Sequence, residues 1–217
     1  MRTIIAGAGP IGLACAISAK RRGIDPLVID AGAIANSIVR YPIGMTFFTT
    51  PERLEIGNHP LVCAGAKATR EEALKYYRGV ARAENIRVRT YTKLVGAREV
   101  ETRFGREAIS WDRLVLATGY FDHPNHLGVP GEELPHVRHY FDEAHRSSGL
   151  NVVVIGGKNS AVEAALQLFR AGANTTIVLP MMISTTVVSM PWSKTGSVSA
   201  SSPVMAALTG WSPRAAR

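Results

Sequence analysis

The feature that most constrains this chain is Gly7-Ala8-Gly9-Pro10-Ile11-Gly12, three glycines in six residues set between an apolar stretch and an amphipathic one. Residues 2–6 read as a short buried strand. Residues 11–22 read as a helix with Leu13, Ala14, Ala16 and Ile17 on its apolar face, closed by Gly23. Pro26-Leu27-Val28-Ile29-Asp30 reads as a second strand. Strand, tight turn, helix and strand in this order form a βαβ unit with parallel strands and a right-handed crossover. Gly7 lets the chain turn sharply out of the strand, Gly9 lets a pyrophosphate approach the backbone, and Gly12 lets the helix pack on the strand. Pro10 and Ile11 fill the variable positions of this G-x-G-x-x-G pattern. The helix N-terminus offers free N–H groups and a positive dipole end to phosphate. Asp30, at the end of the second strand, can accept both hydroxyls of an adenosine ribose. The competing reading is a glycine turn that binds no nucleotide.

The same order recurs later. Asn151-Val152-Val153-Val154-Ile155 reads as a strand covered on both faces. Gly156-Gly157-Lys158-Asn159-Ser160-Ala161 turns into a helix over about 160–171, closed by Gly172, and Thr175–Leu179 is the next strand. Lys158 stands where the second fingerprint glycine would be, and its ammonium can meet phosphate as a point charge, unless it is simply a surface lysine on a turn. Asn159 and Ser160 are expected to cap the helix, and Glu163 to serve as a first-turn acid. Between the copies, residues 31–65 are loop-rich and 70–83 read as a helix. Antiparallel strands are expected within 86–111, at Arg87–Thr90 and Ala108–Trp111, with a turn at Phe104-Gly105. Arg113–Ala117 reads as a buried strand stopped by Thr118-Gly119, a turn able to pass close to a cofactor. From Pro180 to Arg217 neither helical nor strand periodicity persists, no carboxylate side chain follows Glu163, and the segment is expected to be irregular.

Several function classes are excluded at this level. Hydrophobic residues make up 46%, enough for a core, and no apolar run reaches the length of a membrane span. No secretory leader is visible after Met1-Arg2, and Cys15 and Cys63, the two cysteines, form neither a C-x-x-C pair nor a metal pattern. A cytoplasmic setting is therefore expected. Cys15 reads as a core residue rather than a nucleophile. The net charge of +8 is scattered, so no nucleic-acid partner is expected. His123, His126, His136, His139 and His145 crowd one stretch without ligand spacing and read as loop and surface residues, so no metal is expected. No Ser-His-Asp set is visible.

Further motifs carry a resemblance. They are Asn36-Ser37-Ile38 with Tyr41-Pro42, Thr46-Phe47-Phe48, and Leu54-Glu55-Ile56-Gly57. They continue with Ala117-Thr118-Gly119-Tyr120-Phe121-Asp122-His123-Pro124-Asn125, Gly128-Val129-Pro130-Gly131-Glu132 and Val154 to Ser160. Over about residues 3–178 the chain resembles the two-dinucleotide-domain flavoproteins related to thioredoxin reductase, and within them the bacillithiol disulfide reductases. Lys158 is itself part of that pattern. The resemblance implies an α/β fold with two Rossmann-like three-layer domains. An FAD-binding domain would span 1–118, a partial NAD(P)H-binding domain 119–179, and a segment outside the family pattern 180–217. It implies FAD on Gly7, Gly9, Pro10, Ile11, Gly12, Asp30, Ala31, Ser37, Phe47, Thr118 and Gly119. NADPH would lie on Gly156, Gly157, Lys158, Asn159, Ser160 and Ala161. Hydride would pass from nicotinamide to flavin, and the electrons onward to a small-molecule disulfide. Homo-oligomers are compatible with this.

Two departures from that family stand out. Where its members carry a cysteine in the first fingerprint, this chain has Ile11, and no C-x-x-C precedes the second fingerprint, so no protein thiol relay is expected. The pattern also breaks at Leu179-Pro180-Met181, before the arginine and the flavin-covering segment of the family, which reads as a truncation or frameshift. Two other readings of the chain are a flavin monooxygenase, against which the poor match at Leu134-Pro135-His136 and His139 weighs, and an inactive fragment with residual nucleotide binding.

Overall fold

A computed structural model describes residues 1–180 and the backbone of Thr185–Ser189 and Val204–Leu208. The chain divides into two units, Met1–Asp122 and His123–Arg217.

In the first unit the glycine turn links β1 (Thr3–Ala6) to α1 (Pro10–Lys20), and β2 (Leu27–Ile29) follows. A one-turn helix α2 (Asn36–Val39) and a long loop lead to α3 (Arg70–Ala83). β3 (Arg87–Arg89) follows, then a meander of β4 (Thr92–Gly96), β5 (Glu99–Thr102) and β6 (Gly105–Ala108), and finally β7 (Arg113–Leu116). The main sheet has the order β3-β2-β1-β7 and is parallel throughout. β1 lies at its centre, with Ile4 opposite both Leu27 and Leu114.

Side-chain alternation divides the core into two layers. Ile4, Ala6 and Ile29 face the meander, packing with Val100 and Ile109. Ile5 and Val28 face the helices, packing with Ala16 of α1. α3 buries Ala73, Tyr77, Val80 and Ala81, the spacing of one helical stripe. Tyr77 is the largest wholly buried side chain among the described residues, and burying its ring contributes on the order of 2–3 kcal/mol. Its hydroxyl donates to the Leu54 carbonyl, and the Tyr76 hydroxyl donates to that of His59, so α3 ties down the loop before it.

Two expectations for this unit are corrected. Arg87–Arg89 lies parallel to β2 rather than in an antiparallel set, because α3 acts as a crossover that returns the chain in the same direction. The antiparallel pairing is confined to β4-β5-β6, and Ile109 lies beyond its last strand. β7, expected to be buried, is an edge strand with Arg113, Val115 and Leu116 exposed. Apolar content marked it as a strand, and its place in the sheet then decided its burial.

In the second unit β8 (Asn151–Ile155), α4 (Asn159–Arg170) and β9 (Asn174–Pro180) repeat the opening arrangement. β8 and β9 pair in parallel, Val152 opposite Thr175. Ala161, Ala164, Ala165 and Leu168 form the buried stripe of α4, and Ala161, Ala165 and Leu168 pack with Val152, Val154 and Ile177. The helix N-cap is Lys158, not Asn159 or Ser160, and it makes no side-chain capping bond. Glu163 lies past the first turn, which holds no acid.

Two strands fall in the stretch expected to be irregular. β10 (Thr185–Ser189) pairs antiparallel with β9, and β11 (Val204–Leu208) pairs in parallel with β8. The β-branched run Thr185-Thr186-Val187-Val188 suits such a strand, but it is too short to stand out beside Ser- and Met-rich neighbours. The rest of 181–217 lies outside the described residues.

Candidate functional site

A cavity of about 440 Å³ opens at the carboxyl ends of β1 and β2, the usual place for a ligand in an open parallel sheet. Its position follows from the glycine turn. Gly7 has a positive φ of 115°, and a Cβ there would lie 2.1 Å from the Ala117 carbonyl oxygen. A Cβ on Gly12 would lie 1.8 Å from the Gly7 carbonyl oxygen. Turn, helix and β7 end are therefore packed too closely for any side chain at either position.

Gly9 differs. Its φ of −76° and ψ of −178° suit any residue, and a Cβ there would meet nothing within 4 Å. Neither backbone conformation nor packing asks for glycine at this position. The open space lies in the cavity that Gly9 lines, where a ligand could approach the main chain.

The surrounding groups suit a phosphate-bearing, ribose-bearing molecule. α1 has no side-chain cap and no acid in its first turn. By contrast, α3 is closed by a full capping box between Thr69 and Glu72 and carries Glu71 and Glu72 in its first turn. The positive end of α3 is satisfied within the chain, whereas that of α1 is left to an anion. Asp30 lines the cavity with its carboxylate held in place: Oδ2 accepts from the Ala8 amide at 2.7 Å and Oδ1 from the Gly32 amide at 2.8 Å. Each oxygen keeps acceptor capacity for a hydroxyl.

Of the expected first-site residues, Gly7, Gly9, Pro10, Ile11, Asp30, Ala31, Ser37, Thr118 and Gly119 all line the cavity. Gly12 stands behind it, as the packing requires. Phe47 lies outside the lining and packs in the α3 cluster, 6.0 Å from the Tyr41 ring. Burial raises the Tyr41 pKa, with Tyr120 adding to the effect. Sequence reading missed Thr92, Lys93 and Leu94, which reach the cavity from β4. They carry no motif, and the strand is brought to the site by the Thr92 amide bonding to the Asp30 carbonyl at 2.7 Å and the Tyr91 amide to that of Gly32 at 3.0 Å. Asp122 also lines the cavity and pairs with Arg40 at 2.7 Å. Cys15 and Cys63 are not among the lining residues.

The second glycine turn is built like the first. The Gly156 amide donates to the Val178 carbonyl at 2.9 Å, as the Gly7 amide does to that of Ile29 at 2.7 Å. Lys158 and Gly9 are both N-caps in extended conformation, with ψ of 174° and −178°. Ala161, wholly buried, occupies the position of Gly12. Gly157 approaches Leu179, whose Cδ2 would lie 2.9 Å from an added Cβ. α4, like α1, lacks a side-chain cap.

The histidines do not all behave as surface residues. His139 is only 19% exposed and meets Glu132, itself 8% exposed, at 2.9 Å. The His139 ring, followed by the Leu127 and Gly128 amides, holds the Glu132 carboxyl down at about 2 against the opposing effect of burial. His126 lies at 3.3 Å from the same carboxylate and is largely exposed.

Comparison with known proteins agrees with this geometry. A family model described as pyridine nucleotide-disulphide oxidoreductase matches residues 4–194. The bacilliredoxin reductase Bdr of Bacillus subtilis is 44% identical over 182 residues, covering 82% of this chain and 56% of the relative. The chain thus spans little more than half the length of that relative. The solved bacillithiol disulfide reductase Bdr from Bacillus cereus superposes with a TM-score of 0.77 at 44% identity, covering 82% of this chain and 59% of that one. A flavin monooxygenase from Stenotrophomonas maltophilia superposes at 0.70 with 20% identity, covering 83% and 57%, a likeness of fold alone. The glycine turn, the uncapped helix, the fixed carboxylate and the family match over most of the chain place it in the pyridine nucleotide-disulphide oxidoreductase family.

Proposed function

We propose that this chain holds FAD in the cavity at the first glycine turn and NADPH at the second, and serves the NADPH-dependent reduction of a low-molecular-weight disulfide. The observation that carries the reading is Gly9: a glycine required by neither conformation nor packing, facing open space at an uncapped helix N-terminus. In this reading the first-turn amides of α1 hold the pyrophosphate and Asp30 holds the ribose hydroxyls. Ser37, Thr118 and Gly119 line the rest of the path. The β8-α4-β9 unit is then a second dinucleotide-binding unit, with Lys158 supplying a charge to phosphate where Gly9 supplies space.

Bound FAD would supply a two-electron carrier between nicotinamide and disulfide. The overall reaction balances as NADPH, a proton and a disulfide giving NADP⁺ and two thiols. The chain's residues bind and orient, and since Ile11 lines the cavity where the family carries a cysteine, no thiol of the chain relays the electrons. The names of the Bacillus relatives support the disulfide as acceptor.

The test is the visible spectrum of the purified chain before and after anaerobic NADPH. The expected result is a flavin band that bleaches with NADPH and returns on addition of bacillithiol disulfide. A protein that stays colourless when supplied with FAD would remove the cofactor reading. A band that bleaches but is not restored by the disulfide would remove the acceptor.

A further inference from the structure

The loop from Asn125 to Tyr140 brings three side chains to one point. His126 Nδ1 lies 3.3 Å from Glu132 Oε1, and His139 Nε2 lies 2.9 Å from the same oxygen. All three donor atoms fall within 4.8 Å of one another. The two imidazoles meet edge to face with centroids 4.7 Å apart. Glu132 Oε1 also faces the Leu127 amide at 3.0 Å, so three nitrogens converge on one carboxylate oxygen.

From this geometry we infer a binding site for a divalent transition ion of the zinc type, with His126 Nδ1, Glu132 Oε1 and His139 Nε2 as its ligands. Donors on a tetrahedral zinc ion stand about 3.3–3.4 Å apart, given bonds of about 2.0–2.1 Å. Two of the three separations are near that value. The third, between the two imidazole nitrogens, is within 4.8 Å, and the His126 ring, whose side chain is 66% exposed, is free to rotate to adjust it. Two imidazoles and a carboxylate suit zinc, cobalt or nickel, not a hard cation such as calcium.

The supporting contacts are those a metal-bound carboxylate needs. Glu132 Oε2 accepts from the Gly128 amide at 2.7 Å, so the carboxylate is oriented from behind. Gly128 and Gly131, with φ of 68° and 88°, bend the loop so that His126 returns over Glu132. The exposed His126 leaves a path for the ion and room for water as fourth ligand. The spacing H-x₅-E-x₆-H matches no helical or finger pattern, which is why sequence reading passes over it.

The probe is Zn²⁺ itself, titrated into the chelator-stripped full chain against a chromogenic competitor, with Co²⁺ as a spectroscopic stand-in. The expected result is one equivalent bound, with visible cobalt d–d bands. His126→Gln and His139→Gln should each weaken binding by about 100-fold or more, beyond the loss typical of a supporting contact, and His136→Gln should leave it unchanged. His126→Gln keeps every Glu132–amide contact, so its result stands even if His139→Gln fails to fold, as circular dichroism would show. Absence of stoichiometric binding in the parent chain would overturn the site. Binding by His126→Gln as tight as in the parent chain would do the same.

Discussion

At the residue scale, the three fingerprint glycines do different work, and substitution separates them. Gly12→Ala drives a Cβ to 1.8 Å from a backbone oxygen and should cost about 1–3 kcal/mol or more as the helix is pushed off the turn. Gly9→Ala meets nothing and should leave the stability within about 1 kcal/mol of the parent. It should nevertheless weaken FAD binding by at least about tenfold, a loss of about 1.4 kcal/mol. Paired melts and fluorescence titrations with FAD would check both, and a Gly9→Ala chain that binds FAD normally would show that the open space serves something else. All three glycines were legible as a motif, because their spacing reports the turn. Their separate roles, Gly9 for a ligand and Gly12 for packing, were legible with it; what was not is the Ala117 carbonyl, more than a hundred residues away, that closes in on Gly7.

At the scale of elements, α1, α3 and α4 show the same physics resolved in two ways. α3 satisfies its N-terminus with Thr69 and Glu72, and the Thr69 and Ala64 amides with the Thr69 hydroxyl hold the Glu72 carboxyl below the usual carboxylate range. Thr69→Ala should cost about 1 kcal/mol, a midpoint shift of about 2–4 °C in a chain of this size. Because the folded-state value is depressed, the contribution of Glu72 is fully present above its unfolded value, near 4.3, and fades as pH falls through the lower folded value. Melts between pH 7 and pH 3 should show this loss in the parent chain and a shallower acid limb in Glu72→Gln. Equal acid limbs would mean that the box does not hold the helix. Sequence reading placed a helix over 70–83 without its Thr69–Glu72 capping box, and it expected caps on α4 where none forms. Asn159 and Ser160 are good cap residues, yet the chain enters the helix one residue earlier, at Lys158, the counterpart of Gly9.

At the scale of the whole molecule, β7 at the sheet edge presents Leu116 at 67% exposure beside Val115. An edge strand with exposed apolar side chains is a template for pairing with another chain. Concentration-dependent self-association of the parent chain is expected in light scattering. Leu116→Lys should reduce it while changing stability by no more than about 0.5 kcal/mol. If the variant associates as strongly as the parent, the contact lies elsewhere. Among the described residues no helix is long and apolar enough to cross a membrane.

The sequence by itself determined the two βαβ openings, their glycine turns, Asp30 and the helix over 70–83. Each of these is encoded over a few neighbouring residues, by periodicity, by a backbone angle only glycine tolerates, or by a helix end. Tertiary structure alone decided that Arg87–Arg89 runs parallel to β2, that β7 lies at an edge, and that Thr92, Lys93 and Leu94 reach the cavity. It alone brought His126, Glu132 and His139 to one point. These outcomes depend on which segments meet after long loops close. Hydrogen-bond pairing and burial settle that for the chain as a whole, and no local pattern of residues records it.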